Sequence, residues 1–360
     1  MIKGSSHLRL VLSVLSLGLN LNWPLLAGQP PEFPAGPTGK GNLIFKLEND
    51  VWLDQDDGYT NGLFLGWVSP PLEEKSKSSW LRFLYRLNTR LLGNDARMES
   101  PENCLDPETS GQRWAALSIT QGMFTPADLT REEIISDDRP YAGLLLASLT
   151  FVRNSGRTQT SWGGGLGVVG PLSLAEATQK WLHRTYGWTE PRGWTNQLKN
   201  EPVVDIWLCR FWTIWSPDKK EAGWNSVFKA GLGGQLGNLM TGLEATLDFR
   251  FGLNVQPGQE VWLPTPLCNQ ISLTGVKRTS IYAFCRVTGR ALARNLLIEG
   301  NTFVSSHGQS LRHFYGQLTS GLAYESQQAV LSFYAAIRTK EFKGQKYFDP
   351  YCGLSFSLAL

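Results

Sequence analysis

One stretch near residue 250 alternates apolar and polar side chains with strict regularity. Seven apolar residues share one face: Leu243, Ala245, Leu247, Phe249, Phe251, Leu253 and Val255. The opposite face carries Glu244, Thr246, Asp248, Arg250 and Asn254. Alternation at period two predicts a β-strand, and an apolar face opposite a charged one is typical of a barrel wall between lipid and a polar lumen. A strand of a soluble β-sandwich shows the same alternation, so this stretch alone leaves both folds open.

Similar alternation recurs along the chain and predicts twelve strands. They span about 42–53, 60–69, 112–123, 143–153, 161–170, 203–215, 225–237, 243–255, 280–303, 313–324, 329–340 and 347–357. Residues 280–303 would also accommodate two strands, but bacterial single-chain barrels have even strand numbers, so we interpret them as one long, kinked strand. The 37 glycines, 14 tryptophans and 18% charged residues suit such a barrel. We therefore predict an all-β protein, a twelve-stranded antiparallel transmembrane barrel of the bacterial outer membrane.

The first 28 residues have the features of a secretory signal peptide. Two basic residues precede a mostly apolar run, 10–26, and small residues follow it. Polar residues and a proline interrupt the run at 20–24, which disfavours the alternative of an anchoring helix. We therefore divide the chain into a signal peptide at 1–28, a proline-rich linker at 29–41 and the barrel at 42–360.

One short helix is predicted in the connection between the fifth and sixth strands, over residues 174–186. Ser173 and Glu176 have the spacing of a capping box, in which the serine caps the first N–H groups and the glutamate reaches back. Gly187 is a typical residue just beyond a helix C-terminus. Gln179 and His183 are four residues apart, so they share one face of the helix.

Chain parity places the polar candidates at one end of the barrel. Successive connections of an up-and-down barrel alternate between its two rims, so the first, third and fifth connections share a rim. These connections carry, in order, the candidates Asn49, Asp50, Thr60, Asp138, Arg139 and His183. With the N-terminus in the periplasm this is the outer rim, so we expect an active site that faces the outer leaflet.

Several motifs recur in the order known from one enzyme family. They are Glu48-Asn49-Asp50, Tyr59-Thr60-Asn61-Gly62, Asp138-Arg139-Pro140-Tyr141-Ala142-Gly143, the helix with His183, Pro191-x-Gly193-Trp194-x-x-Gln197-Leu198-x-Asn200-Glu201 and Gly300-Asn301-Thr302-Phe303. With this ordered set, the chain resembles the outer-membrane lipid A 3′-O-deacylase family from about residue 42 to residue 360. The resemblance implies a twelve-stranded barrel that removes the 3′-linked acyloxyacyl chain from lipid A and depends on a divalent cation, normally Ca²⁺.

The resemblance also implies site residues. The family's active-site positions correspond here to Asn49, Asp50, Thr60 and His183, and all four residue types are present. Arg131 lies near the position of the family's active-site lysine. The position of a family glutamate after the helix corresponds to Glu190 or is displaced by Thr189.

These residue types suit hydrolysis of an ester by activated water. The chain has no G-x-S-x-G motif, the usual marker of an acyl-serine route. His183 would be the general base that takes a proton from water. Asp50, with Thr60 and Glu190, would hold Ca²⁺, which prefers oxygen ligands. Asn49 would either donate to the oxyanion or only fix the turn.

Arg131, Arg139 and Gln179 are the predicted substrate-binding residues, although Arg139 could instead pair with Asp138 and lock a loop. The alternatives to a lipid A deacylase are an outer-membrane phospholipase and a non-catalytic barrel, porin-like or structural. The expected partners are lipid A or lipopolysaccharide and the surrounding outer-membrane lipids, bound by a monomer. The net charge is only +3 and no basic run occurs, so nucleic acid is not an expected partner.

Overall fold

The computed structural model describes residues 39–50, 58–92, 112–155, 157–216, 222–257, 260–262, 270–274 and 278–360. Its strands are β1 (Asn42–Asn49), β2 (Gly58–Val68), β3 (Arg113–Thr125), β4 (Ala142–Ser155), β5 (Thr158–Val169), β6 (Glu201–Trp215), β7 (Trp224–Gly237), β8 (Met240–Leu253), β9 (Glu260–Trp262), β10 (Gln270–Ser272), β11 (Ser280–Asn295), β12 (Phe314–Glu325), β13 (Ala329–Arg338) and β14 (Asp349–Ala359). Twelve of the strands in these ranges close into one antiparallel barrel, and β9 and β10 form a separate hairpin. The ring closes where β1 pairs with both β2 and β14.

Three α-helices accompany the strands in the described part of the chain. They are α1 (Ser79–Leu92), α2 (Ala175–Tyr186) and α3 (Leu296–Glu299). None of these helices is long and apolar enough to cross a membrane. The predicted short helix between the fifth and sixth strands is confirmed as α2.

The predicted twelve-stranded antiparallel barrel is confirmed. Most strand bounds differ from the predicted ones by a few residues, and one strand differs by much more. The strand predicted over 280–303 ends at Asn295. There the Asn295 side chain accepts a hydrogen bond from the N–H of Leu297 and caps α3, which ends at Gly300 with φ +89°. α1 and the β9–β10 hairpin lie in segments for which the alternation predicted no element. The predicted signal peptide, and most of the linker, lie outside the described residues.

β8 shows the two faces that its sequence predicts as far as Leu253. Beyond it the prediction is wrong, because Asn254, with φ 53°, ends the strand and Val255 is buried in a cluster with Tyr282. Leu247, Phe249 and Phe251 are exposed by 51, 46 and 50%. Asp248 is fully buried on the other face, where its carboxylate accepts hydrogen bonds from the guanidinium groups of Arg250 and Arg286, each at 2.8 Å. An apolar exterior and a paired-charge interior are those of a membrane barrel wall, so the soluble sandwich is excluded.

Side chains fill the lumen at both ends. The rim at which β1 ends and β2 begins is called the site rim below. Its inward cluster includes Tyr59, Phe124, Leu144, Leu146, Leu297 and Tyr334. At the opposite rim, Val261 and Leu273 from the hairpin segment pack against Ile44, Phe64 and Trp114. A lumen closed by side chains at both ends differs from the open, water-filled channel of a porin.

α1 and α2 both lie on the outer surface of the barrel, against β3 and β4. α2 covers the site-rim ends of these strands, where it meets outward-facing Met123. α1 covers the other ends, where it meets outward-facing Ala115 and Phe151. Between the two helices, Leu117 and Ile119 of β3 are exposed. The two helices therefore border one apolar band of the wall.

Candidate functional site on the outer wall

Four adjacent strands place buried residues in one outward-facing row at the site rim. Asn49 pairs with Asn61, and Asn61 pairs with Met123. Met123 in turn pairs with Gly143. By strand alternation these positions share the outward face with residues that are exposed nearer the middle of the wall: Leu43, Phe45, Leu65 and Ile119. α2 covers two members of this row, because Met123 packs with Ala175 and Gly143 lies against Ser173 and Ala175.

The start of β2 contains an irregularity at a predicted site residue. Tyr59 pairs with Phe124 and Asn61 with Met123, so Thr60 is the extra residue of a β-bulge. Bulges re-aim neighbouring side chains and are frequent next to active sites. The side chain of Thr60 lies outside what the structure describes, so its predicted role stays a prediction. Asp50 is fully buried directly after Asn49.

Glu48, the first residue of the Glu48-Asn49-Asp50 motif, belongs to the lumen. Its carboxylate accepts hydrogen bonds from the hydroxyl of Tyr59 at 2.6 Å and from that of Tyr334. The ammonium of Lys46 lies 2.8 Å from the same carboxylate. Strand alternation therefore divides the motif between two faces, with Glu48 inside the barrel and Asn49 outside.

The predicted capping box of α2 is wrong. Ser173 donates its hydroxyl to the carbonyl of Gly170 at 2.6 Å, and the N-cap is Leu174, which has φ 60°. Glu176 binds Lys180 at 2.8 Å instead of reaching back over the first turn. A short 3-10 turn over Pro171–Ser173 places Ser173 one position before the N-cap, where its hydroxyl accepts only a long hydrogen bond, 3.4 Å, from the N–H of Ala175.

α2 lies close against the wall because Gly143 has no side chain. A Cβ on Gly143 would lie 2.1 Å from Ser173 Oγ and 2.5 Å from Ala175 Cβ. Ala175 shares a buried cluster with Met123 of the outward row. The face of α2 that begins with Ala175 is therefore the face turned toward the barrel.

The same face of α2 carries Gln179 and His183, at successive spacings of four residues from Ala175. Both side chains are buried, and His183 is only 2% exposed. The structure thus brings the predicted pair Gln179 and His183 to the outside of the barrel, on the wall that also carries Asn49. The predicted sharing of one face is confirmed.

His183 is held in one tautomer. Its Nδ1 is hydrogen-bonded to the carbonyl oxygen of Thr189. A carbonyl can only accept, so Nδ1 carries a proton, and Nε2 is the ring nitrogen that can accept one. The left-handed Gly187, with φ 72°, ends α2 as predicted and turns the chain back toward His183. Trp188 then packs edge-on against the imidazole, with ring centroids 5.6 Å apart.

Gln179 is oriented by a tryptophan. Its Oε1 accepts a hydrogen bond from the indole N–H of Trp194 at 2.7 Å. Trp194 is fully buried and packs against Tyr141, with ring centroids 5.1 Å apart. The buried Nε2 of Gln179 has no hydrogen-bond partner among the residues that the structure describes. An oriented N–H group of this kind could donate to an oxygen of a bound molecule.

Arg139 lies inside the barrel. Its guanidinium stacks over the ring of Phe124 at 4.8 Å, and its Nη1 lies 3.7 Å from the carboxylate of Glu341. Asp138 uses its carboxylate for loop backbone, accepting from the N–H groups of Ala127 at 2.8 Å and of Arg139 at 2.7 Å. The alternative of an Asp138–Arg139 ion pair is therefore wrong. Asp138 holds the loop backbone, and the ion-pair partner of Arg139 is Glu341.

Glu190 and Arg131 lie at the exposed surface near α2. The carboxylate of Glu190 accepts a hydrogen bond from Arg184 Nε at 3.1 Å. This bond to the charged form lowers the pKa of the Glu190 carboxyl from its ordinary value. The side chain of Arg131 is exposed, while its carbonyl lies beside Gly193.

Two residues at the site rim offer oxygen donors that fit a divalent cation. Asp50 is fully buried, and Asn61 Oδ1 is a buried acceptor without a hydrogen-bond partner in the described ranges. Carboxylate and amide oxygens are ligands that Ca²⁺ prefers. Within those same ranges no three histidine, cysteine or acidic side chains gather to hold a metal. Asp50 and the Asn61 amide are therefore the oxygen donors at this rim, among the described side chains, that suit a cation best.

Three residues that shape this region are not among the predicted site residues: Asn61, Gly143 and Trp194. All three lie within the motifs that carry the family resemblance. Asn61 stands directly opposite Asn49 across β1 and β2, which requires the pairing register in addition to strand alternation. Gly143 and Trp194 act through their packing with α2, which no local sequence pattern predicts.

The family of this chain is shown by its similarity to known proteins. The profile described as "Outer membrane protein LpxR" matches residues 10–360. The chain belongs to the LpxR family. The structure of LpxR from Salmonella typhimurium has the same fold, with a TM-score of 0.68 and 16% sequence identity over 89% of this chain and 100% of that chain. The membership agrees with the predicted location in the outer membrane.

Another solved structure of a barrel is less similar to this chain. The β domain of the Bordetella autotransporter Brka aligns with a TM-score of 0.40 and 8% identity, over 89% of this chain and 98% of that chain. No curated protein matches the sequence of this LpxR-family chain.

Proposed function

We propose that this LpxR-family protein is a Ca²⁺-dependent lipid A 3′-O-deacylase, a carboxylic ester hydrolase of the outer leaflet. One observation carries the proposal: buried Gln179 and His183 lie outside the barrel, between α2 and the outer surface of the wall, and not in the lumen. A site on the outer wall faces the membrane, so it suits an ester whose acyl chains lie in the bilayer. Because side chains close the lumen at both ends, a porin is a poor alternative.

The proposed reaction uses water as the nucleophile. His183 Nε2 takes a proton from water as the water oxygen attacks the carbonyl carbon of the 3′-linked ester. The bond between that carbon and the sugar oxygen then breaks, and His183 returns the proton to the sugar oxygen. The products are a sugar with a free 3′-hydroxyl and the released acyloxyacyl acid. The bond from Nδ1 to the Thr189 carbonyl supports this role because it leaves the lone pair on Nε2.

Charge stabilisation would come from the groups around His183. The Nε2–H of Gln179 is a fixed donor suited to the carbonyl oxygen of the ester, and Asn49 is a second candidate. Asp50 and Asn61 would hold Ca²⁺, which when bound supplies positive charge beside the ester carbonyl. Thr60 and Glu190 are further candidate ligands, although Glu190 would first have to leave Arg184.

The polar part of the substrate would meet the loops at the site rim. We assign the exposed Arg131 to the charged headgroup of lipid A or lipopolysaccharide. We assign Arg139 to a structural role inside the barrel, since its guanidinium stacks on Phe124 and lies 3.7 Å from Glu341. The site rim would then face the cell exterior, and a monomer would be sufficient because one chain supplies all these residues.

The direct test is the lipid profile of bacteria that express the chain in their outer membrane. Mass spectrometry of lipid A should show loss of the 3′-linked acyloxyacyl group. Intact lipid A together with new lysophospholipid would favour the outer-membrane phospholipase instead, because a site on the outer wall would also admit phospholipids. Unchanged lipid A and phospholipid at a verified protein level would contradict both enzyme assignments.

A further inference from the structure

α1, at the rim opposite the site, presents three distinct faces. The face toward β3, β4 and β5 carries buried or partly buried residues: Leu81, Leu84, Tyr85, Asn88 and Leu92. A second face carries the exposed apolar residues Trp80, Phe83 and Leu91. A third face carries Arg82, Arg86 and Arg90. At roughly 100° per residue, these faces lie about a third of a turn apart.

The exposed apolar face adjoins the apolar band of the barrel. Trp80 and Phe83 are exposed by 52 and 53%, and their rings stack with centroids 5.6 Å apart. On β3, the outward residue beyond the helix contact at Ala115 is the exposed Leu117. The helix therefore extends the lipid-facing surface of the wall at its edge, where aromatic residues commonly meet the membrane interface.

The basic face carries charge that its own helix does not neutralise. The sequence of α1 has no acidic residue. Arg82 is engaged in fastening the preceding turn, since its Nη1 donates to the carbonyls of Ser76 at 2.7 Å and Lys77 at 3.0 Å. Arg86 and Arg90 are exposed on the same face. These two guanidinium groups are therefore placed to meet an anionic partner.

We propose that α1 is an interfacial helix that binds anionic phospholipid headgroups at the rim opposite the site. Trp80, Phe83 and Leu91 enter the boundary of the acyl chains, while Arg86 and Arg90 bind headgroup phosphates. A helix with one apolar face, one basic face and low overall hydrophobicity is the type that lies in the membrane interface. This proposal is independent of the deacylase assignment, because it concerns the opposite rim.

The barrel holds α1 firmly enough for this role. Asn88 Nδ2 donates to the carbonyls of Trp114 at 3.1 Å and Val152 at 3.2 Å, and its Oδ1 accepts from Arg113 Nη1 at 2.7 Å. Arg153 Nη1 donates to the last carbonyl of the helix, that of Leu92, at 3.1 Å. The orientation of the basic and apolar faces is thus fixed relative to the wall.

The test uses the full chain reconstituted in phosphatidylcholine vesicles with a small fraction of photoactivatable lipid. The lipid is either phosphatidylglycerol or phosphatidylcholine, each with the reactive group on its acyl chain. Crosslinks are mapped to α1 and, as an internal reference, to lipid-facing β8. We expect the phosphatidylglycerol-to-phosphatidylcholine labelling ratio at α1 to exceed that at β8 roughly twenty-five-fold at low salt, given about fivefold for each of the two basic residues.

Two variants make the test specific. Arg86→Gln with Arg90→Gln should bring the ratio at α1 down to that at β8, whereas Arg86→Lys with Arg90→Lys should keep most of the preference because the charge remains. Folding is checked in both by the heat-dependent gel shift of the barrel. Equal ratios at α1 and β8 in the wild-type chain would overturn the proposal. So would an α1 that neither lipid labels, as expected if a protein partner or a second copy covers it.

Discussion

α1 and α2 lie on the same two strands, β3 and β4, at opposite ends of the outer wall. α1 turns Leu81, Leu84 and a single amide, Asn88, toward the barrel. α2 turns Ala175, Gln179 and His183 toward it. Leucine would bury more apolar area at the positions of Gln179 and His183, so stability alone does not explain these residues. The difference separates a helix that is anchored to the wall from one that carries chemistry.

The buried polar groups of the two helices are also satisfied differently. Every polar atom of the Asn88 amide has a partner in the wall itself. Gln179 has one partner, Trp194, and a buried Nε2 without a partner in the described residues. A fully satisfied amide rigidifies its surroundings, while an oriented and unsatisfied one is suited to receive a ligand.

The largest effect is expected from His183→Ala. General-base catalysis contributes roughly 10²–10⁴ in rate, so deacylation should fall by about that factor in a folded, membrane-inserted barrel. His307→Ala and His313→Ala serve as controls. Their rings bond the backbone carbonyls of Asp138 and Leu292, so both variants should keep most of the activity. Lipid A profiling at matched protein levels measures this. A near wild-type rate for His183→Ala would contradict the general-base role, and α2 would then be an anchoring helix like α1.

A second large effect is expected from Asp50→Asn, which removes the buried carboxylate assigned to Ca²⁺. Chelation should abolish deacylation by the wild-type chain and added Ca²⁺ should restore it, whereas the variant should not be rescued. Calcium should also raise the temperature of the heat-dependent gel shift in the wild-type chain but not in the variant, because a ligand of the folded state stabilises it. Activity that persists in excess chelator would remove the cation from the site.

Part of the fold and of the difference between α1 and α2 could be predicted from the sequence. Period-two alternation predicted the barrel, and the spacing of Gln179 and His183 predicted their common face. The side of the wall could not be predicted, because it depends on how α2 packs over Gly143. The strand over 280–303 was wrong because the apolar run Leu296-Leu297-Ile298 suits a strand or a helix equally. The capping box failed because a 3-10 turn shifts the start of α2 by one residue.

A smaller effect is expected from Asn88→Ala in α1. The substitution leaves the Arg113 guanidinium and two wall carbonyls without this partner, which should lower the free energy of unfolding by about 1–3 kcal/mol. The temperature of the heat-dependent gel shift measures the loss. Deacylation at a permissive temperature should be unchanged, since α1 lies at the opposite rim. A selective loss of activity in a stable barrel would show that the two helices are coupled.

The smallest effect is expected from Glu190→Gln, which removes a carboxylate that Arg184 already binds at the exposed end of α2. Arg184 lowers the pKa of this carboxyl, so its contribution to stability is present at neutral pH and is lost as the pH falls through the lowered pKa. An exposed pair of this kind contributes little, and activity should stay near that of the wild type.

Arg184→Gln is the matched control for Glu190→Gln, because it breaks the same ion pair but keeps the carboxylate. If the pair is only a surface contact of α2, both variants should deacylate lipid A alike and need the same Ca²⁺ concentration. If Glu190 leaves Arg184 to bind the cation, Glu190→Gln should need more Ca²⁺, and Arg184→Gln should need no more than the wild type. A Ca²⁺ titration of the two variants therefore decides whether exposed Glu190 binds the cation or whether only the buried face of α2 takes part in the reaction.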